Sequence, residues 1–316
     1  MTTTQRMELN LQGALSQEWY DVEIAVKPEI KRVPNVHDPL VCCEWVRRYI
    51  TIPGFNTNPA TSASFLSRGG QAEIWRDFVD GRSIVLKCYK NCNYKEAQRE
   101  LDAFKQIQVH PHIIDFFGVQ QKSKSIELRL EYAPMGDLME YLTKHPSGVT
   151  EARARLFTKQ IVQAIEHCHE ISHIAHLDLK LENVLLINDS HVKLADFGLS
   201  SGIHGQCTNM GSFSYSCPEM IAGQSFDLSK ADIWSIGVIV FVLLVGFLPY
   251  EQASNKDWRF LRLDSRKCSS FASQIFLLYD MNPRIVGHAA TLINSLMTCE
   301  RSRPHARHVL LSAWLQ

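Results

Sequence analysis

Two short polar blocks constrain this sequence more than any other feature. HLDLKLENVLL runs from His176 to Leu186, and KLADFG follows from Lys193 to Gly198. Transfer of a phosphoryl group needs a carboxylate at the incoming hydroxyl, together with oxygen ligands for Mg²⁺ bridging the phosphates. The two blocks contain residues of both kinds, so they predict a site for this chemistry.

Each role can be assigned to a side chain of these blocks. Asp178 can meet the hydroxyl, and Asn183 and Asp196 can hold the metal. Lys180 lies two residues after Asp178 and points to the same side if the segment is extended. Its ammonium group can then neutralise the transferring phosphoryl group.

The two blocks closely resemble the catalytic loop and the D-F-G segment of eukaryotic protein kinases, and other landmarks of that family flank them. The resemblance covers roughly residues 60 to 316. It implies an α+β fold with two lobes, a small β-rich N-lobe with one main helix and a larger helical C-lobe. It also implies ATP as phosphate donor, two Mg²⁺ ions, and protein substrates with hydroxyl acceptors.

Local sequence patterns agree with this order of lobes. Strand-like segments begin near residue 60, and two of them form a hairpin through a turn at Asp80-Gly81. The segment YKEAQRELDAFKQI then has helical periodicity, and the sequence after Gly136 is mostly helical. They predict two lobes with a cleft between them, an N-lobe over 59–133 and a C-lobe over 134–316. The apolar face of the predicted helix comprises Ala97, Leu101, Phe104 and Ile107.

The resemblance places Lys87 of IVLK on the third strand of the N-lobe, where it reaches the α and β phosphates. Glu100 is its expected partner on the helix, and Glu96 is the alternative. An exposed ion pair contributes only about 0–1 kcal/mol to stability, so this pair should matter for rate and not for folding. Lys87→Met is therefore expected to remove phosphotransfer and leave the melting temperature nearly unchanged.

The segment that should cover the phosphates matches the family least well. Aligned on Ile74, the three glycines of the family become Ser67, Gly69 and Ala72. All three residues are small, but Ser67 and Ala72 restrict φ where glycine would not. This departure favours the main alternative, a catalytically weak kinase-fold scaffold, or pseudokinase.

LRLEYAPMGDL resembles the segment that joins the two lobes. It implies Leu130 as gatekeeper, adenine contacts from the backbone of Glu131 to Ala133, and a ribose contact from Asp137.

Three further residues are expected to be structural, not catalytic. Glu219 should pair with a buried Arg303, and Asp232 should anchor the backbone of the catalytic loop.

Lys180 and Ser212, seven residues before Glu219, resemble the serine/threonine pattern of the family. The HLDLK sequence is similar to that of calcium/calmodulin-dependent and related kinases. Glu182 and Asp137 place negative charge where such kinases read basic residues, which predicts Arg or Lys two or three positions before the phosphosite.

Thr208 occupies the position of an activating phosphothreonine in many relatives. Leu177 and Ser201 stand where cations often pair with that phosphate. Without them a phosphate gains little, so phosphorylation of Thr208 is not expected to be required for activity.

His169-Glu170-Ile171-Ser172-His173 matches the H-E-x-x-H zinc motif, which suggests a metalloprotease as a rival. That function needs an unbroken helix and a third ligand. The segment runs directly into the catalytic-loop match, which argues against it.

Composition excludes several classes of partner. Lys plus Arg equals Asp plus Glu at 33 each, so no overall field favours nucleic acid or an anionic membrane. The apolar run Ile233 to Leu248 would be about 24 Å long as a helix, short of a bilayer core of roughly 30 Å, and predicts a buried core helix instead.

The remaining features concern compartment and regulation. Nine unpatterned cysteines and the absence of a signal-peptide pattern predict a reduced compartment, cytoplasmic or nuclear. Residues 1–58 form an extension whose apolar stripe at 41–50 predicts a helix that braces the N-lobe or docks a regulatory partner.

Overall fold

The computed structural model describes residues 23–25, 63–90, 93–122, 125–205, 211–263 and 287–316. The chain forms two compact units. The first comprises Met1–Leu101 and Asp115–Tyr132, and the second comprises Asp102–Ile114 and Ala133–Gln316. The predicted helix at 41–50 and Thr208 lie outside the described residues.

The first unit contains a six-stranded antiparallel sheet in the order β1-β5-β6-β4-β3-β2. The predicted hairpin is confirmed, since β3 and β4 are joined at Asp80 and Gly81, with φ of 50° and 78°. Positive φ at both turn residues matches the twist of paired strands. The strands are β1 Glu23–Ala25, β2 Ser64–Arg68, β3 Ala72–Val79, β4 Arg82–Lys90, β5 Phe116–Lys122 and β6 Ser125–Glu131.

The predicted helix forms α1, Tyr94–Gln106, and the boundary between the units falls within it after Leu101. Its buried face differs from the prediction. Ala97, Glu100 and Phe104 are at most 7% exposed, whereas Leu101 is half-buried and Ile107 lies beyond the helix end. The buried stripe therefore includes a carboxylate, which the apolar pattern did not mark.

The second unit is mainly helical and also holds two small sheets, in which β7 pairs with β10 and β8 with β9. With the β-rich first unit, it confirms the α+β class. Its strands are β7 Ile174–Ala175, β8 Val184–Asn188, β9 His191–Leu194 and β10 Ser201–Gly202. Its α-helices are α2 Leu138–Thr143, α3 Glu151–Glu166, α4 Pro218–Ile221, α5 Leu228–Val245, α6 Trp258–Leu263, α7 Gly287–Leu296 and α8 Ala306–Val309.

Helix α5 is the core of the second unit. The side chain of Asp227 caps its first turn, and Gly246 ends it in the left-handed conformation at φ 89°. Of the described residues, only this helix is long and apolar enough to cross a membrane, and 89% of that stretch is buried inside the protein. The predicted core helix is thus confirmed, although it begins before Ile233.

Candidate active site

Asp232 of α5 fixes the backbone that leads to Asp178. Its Oδ2 and Oδ1 accept hydrogen bonds from the backbone N–H groups of His176 and Leu177, both at 2.8 Å. Leu177 is buried and has a φ of 66°, which a branched side chain adopts only when the surroundings hold it there. The predicted anchoring by Asp232 is confirmed.

Several donors converge on the Asp178 carboxylate, which is 10% exposed. Oδ2 accepts from Lys180 Nζ at 2.8 Å and from Asn183 Nδ2 at 3.1 Å. Oδ1 accepts from the backbone N–H of Ser212 at 3.0 Å and from its hydroxyl at 3.2 Å. The carboxylate is therefore held in one orientation before any substrate arrives, as a positioned base requires.

Ser212 takes a larger part in this site than the sequence indicated. Its Oγ also accepts a hydrogen bond from Lys180 Nζ at 3.0 Å, so Ser212, Lys180 and Asp178 form a closed network. The sequence marked Ser212 only as a sign of substrate class. The sequence signal that could have indicated this contact is the position of Ser212 seven residues before Glu219.

Asn183 and Asp196 have the chemistry of a magnesium site. The amide nitrogen of Asn183 donates to the backbone oxygen of Asp178 at 2.8 Å, which leaves its Oδ1 for a metal. Asp196 has a φ of 62°, and the backbone N–H of Ala195 donates to the Asn183 carbonyl at 2.9 Å, joining the two segments. Oxygen donors of this kind fit Mg²⁺.

Among the described residues no three His, Cys, Asp or Glu side chains form a metal-binding group. Mg²⁺ in phosphoryl-transfer sites commonly has one or two carboxylates and substrate phosphates as ligands, so the donor set present fits such an ion.

Aromatic side chains pack around Phe197, the residue that follows Asp196. The Phe197 ring lies 4.9 Å from that of His176 and 5.4 Å from that of Phe104, between ring centroids. His176 Nε2 lies 3.0 Å from the Ala195 carbonyl oxygen and donates to it. These contacts fix the segment that carries Asp196.

In the first unit Lys87 pairs with Glu100 and not with Glu96. Lys87 Nζ lies 2.9 Å from Glu100 Oε1, and the exposed fractions of the two side chains are 9% and 0%. The expectation of a weak, exposed ion pair is therefore wrong, because both charges are buried. Tyr89, which the sequence analysis did not single out, donates its hydroxyl to Glu100 Oε2 at 2.6 Å.

The phosphate-covering segment forms without strained backbone. Ser67 lies opposite Ile74 in the β2–β3 ladder, and the Gly69 N–H donates to the Ala72 carbonyl at 3.0 Å. None of the residues from Ser67 to Ala72 has a positive φ. The expected restriction of φ at Ser67 and Ala72 therefore carries no conformational cost here, and this departure from the family pattern does not by itself argue for a pseudokinase. Whether these residues contact phosphate stays a prediction.

The residues predicted to contact the nucleotide from the segment that joins the two lobes make other contacts in the structure. Leu130 is buried, and the Glu131 side chain accepts from the backbone N–H of Asp115 at 3.2 Å. Asp137 Oδ1 accepts from the Glu140 N–H at 2.8 Å and caps α2, a role that the sequence analysis had not assigned. The adenine contacts of Glu131 to Ala133 and the ribose contact of Asp137 stay predictions.

Glu219 and Arg303 form the expected buried pair. Arg303 Nη2 lies 2.8 Å from both carboxylate oxygens of Glu219, and the arginine side chain is 1% exposed. This pair stabilises the segment that follows Ser212.

The zinc-protease alternative is wrong. His169 Nε2 lies 2.8 Å from Asp232 Oδ2 and is buried, and His173 has a φ of 54°, outside any helix. The two histidines therefore do not share the unbroken helix that the motif requires.

Residues 68–315 match the family model described as protein kinase domain, and the chain belongs to this family. It is 37% identical to rat NUAK family SNF1-like kinase 2 over 184 residues, which are 56% of this chain and 29% of that protein. The human protein of the same name is 35% identical over 184 residues, with the same coverage.

A second kind of relative is the rat SNF-related serine/threonine-protein kinase, 32% identical over 223 residues, or 69% of this chain and 28% of that protein. The chain thus spans under a third of the length of these relatives. The family match and the name of this second relative confirm the predicted resemblance to eukaryotic serine/threonine protein kinases.

Proposed function

We propose that this chain is a serine/threonine protein kinase, which transfers the γ-phosphate of ATP to hydroxyl groups of proteins. The observation that carries the proposal is the Asp178 carboxylate, held by Lys180, Asn183 and Ser212. The similarity to proteins named as serine/threonine kinases supports it.

The roles of the residues follow from their geometry. An acceptor hydroxyl donates its hydrogen bond to Asp178, which orients the oxygen for attack and takes the proton. Lys180 stabilises the negative charge that develops on the transferring group. Asn183 and Asp196 would hold Mg²⁺, which when bound neutralises phosphate charge. Lys87 would hold the α and β phosphates, positioned by Glu100.

The scaffold alternative has less support. A scaffold has no physical need for a buried Lys87–Glu100 pair and a carboxylate fixed by several donors. The phosphate-covering segment, which favoured it, needs no positive φ.

Acidic residues near the site support a preference for basic substrates. Glu182 is exposed within the catalytic-loop block, and Asp137 and Glu140 lie at the start of α2. Arg or Lys two or three positions before the acceptor would meet these carboxylates. A positional peptide library tests this, and equal phosphorylation with and without basic residues would contradict it.

Compartment and regulation extend the proposal. Among the described residues Cys168, Cys217 and Cys299 are free thiols, which supports a reduced compartment, cytoplasmic or nuclear. Residues 1–58 would act as an extension to a kinase domain over 59–316 that braces the N-lobe or docks a regulatory partner. Strand β1, which lies in this stretch and pairs with β5, supports the bracing role.

The test is phosphate transfer from labelled ATP with Mg²⁺ to basic serine and threonine peptides, comparing wild type with Asp178→Asn. Transfer that is lost in the variant supports the proposal. ATP binding without transfer by the wild type contradicts it and favours the scaffold.

A further inference from the structure

Tyr89 and Lys87 bind the two oxygens of one carboxylate. Lys87 Nζ lies 2.9 Å from Glu100 Oε1, and the Tyr89 hydroxyl donates to Oε2 at 2.6 Å. Tyr89 is 1% exposed and Glu100 is 0% exposed, so both groups are removed from solvent. The Lys87 ammonium also lies 5.3 Å from the centre of the Tyr89 ring.

This arrangement follows from the register of β4. Lys87 lies opposite Ile74 and Leu128, and two residues later Tyr89 lies opposite Ala72 and Ile126. Side chains two residues apart on a strand point to the same face, so both reach the helix face that carries Glu100. A tyrosine at this position is long enough to place its hydroxyl on the carboxylate.

We propose that Tyr89 is a positioning residue for phosphoryl transfer, which keeps Glu100 ionised and correctly oriented while Lys87 interacts with the phosphates of ATP. This inference rests on the proposed kinase function. Tyr89 would thus supply Glu100 with a second hydrogen-bond donor, one that does not also bind the nucleotide.

Binding of ATP would change how the charge of Lys87 is shared among its partners. When phosphate oxygens approach, the ammonium group divides its attraction between them and Glu100, and the hold on Oε1 weakens. The hydrogen bond from Tyr89 keeps its full strength, because it does not involve the cation. Hydrogen bonds to an ionised acceptor are the stronger kind, and burial raises the cost of weakening one.

The experiment measures kcat and KM for ATP across a range of pH in wild type, Tyr89→Phe, Glu100→Gln and the double variant. Tyr89→Phe should lower kcat/KM about 10-fold, as expected for loss of a hydrogen bond to a charged group. It should also move the acidic limb of the pH profile to higher pH, because Glu100 loses a donor that favours its charged form.

Two controls separate positioning from a general structural effect. Tyr94→Phe changes an exposed tyrosine on α1 and should behave as wild type. In the Glu100→Gln background, Tyr89→Phe should change kcat/KM by about twofold or less, since it then acts on no carboxylate. An unchanged pH profile, or an equal loss in both backgrounds, would overturn the inference.

The affinity for Mg·ATP, measured by calorimetry in the same four proteins, makes the two proposals distinguishable. A wild type that binds Mg·ATP but transfers nothing would refute the kinase function. The inference is then decided by affinity alone, and is overturned if Tyr89→Phe weakens binding equally with and without the Glu100 carboxylate.

Discussion

Ser212 donates to one oxygen of Asp178 twice, through its backbone N–H at 3.0 Å and its hydroxyl at 3.2 Å. The backbone bond can persist when Ser212 is replaced by alanine, whereas the hydroxyl bond cannot. The network therefore allows the contribution of the hydroxyl to be measured by itself.

Ser212→Ala should lower kcat by about 10- to 100-fold, because it removes a hydrogen bond to a charged group and a contact of Lys180. Ser212→Thr keeps the hydroxyl and should retain most of the activity. Steady-state kinetics with a peptide substrate provide the measurement. Equal activity of the alanine and threonine variants would show that the hydroxyl has no role in positioning.

Lys87→Met should now be expected to affect both rate and stability. Removing one partner of a buried ion pair costs on the order of 3 kcal/mol, because the remaining charge is left in a poorly solvated site. Denaturant unfolding should show this loss, and transfer should be abolished. The variant Lys87→Met/Glu100→Gln should recover most of the stability but none of the activity. A Lys87→Met protein as stable as wild type would show that the pair is hydrated in solution.

Acid pH should destabilise the second unit through a cluster of four histidines. The His110 ring stacks on His167 at 4.8 Å and lies 5.7 Å from His112, which lies 4.9 Å from His191, between centroids. Burial, and then the neighbouring His167, lower the pKa of His110 from 6.5 to about 4. Burial also lowers the pKa of His112 and of His167.

In the unfolded chain the side chain of His110 is protonated near pH 6.5. In the folded chain it stays neutral until about pH 4. The free energy of unfolding should therefore fall as pH drops through this window. Denaturant unfolding at several pH values measures the slope, which should be shallower in His110→Gln. His288→Gln, at an exposed position, is the control. An identical slope in wild type and His110→Gln would exclude the cluster as the cause.

Thr208→Ala should keep most of the transfer activity. Leu177 is a buried apolar residue, and Ser201 lies opposite Ala175 in a strand pair, so neither supplies a cation for a phosphate. The rate of peptide phosphorylation by the variant tests this, with Asp178→Asn as the inactive reference. Loss of most activity in Thr208→Ala would contradict it.

Spacing along the chain predicted much of the site. Asp178, Lys180 and Asn183 share one loop, and local geometry determines which side chains meet there. The link from Asp232 to the catalytic loop and the pair of Glu219 with Arg303 came from the resemblance.

Burial could not be predicted in the same way. The spacing of Glu100 and Phe104 placed the carboxylate beside the apolar face but did not show that it is fully buried, because a carboxylate is placed on a buried face only when donors from another element meet it. Tyr89 was within reach of prediction, since it lies two residues from Lys87 on a strand, but its partner is distant in sequence. The capping role of Asp137 depends on where α2 begins, which the sequence left open.

The anchoring of the catalytic loop on α5 has a consequence for local motion. Helix α5 is almost entirely buried, and buried core elements are the last to exchange their amide hydrogens with solvent. The amides of His176 and Leu177 are bonded to a side chain of that helix. A loop of this kind would ordinarily open by small fluctuations, but we expect these two amides to exchange almost as slowly as those of α5.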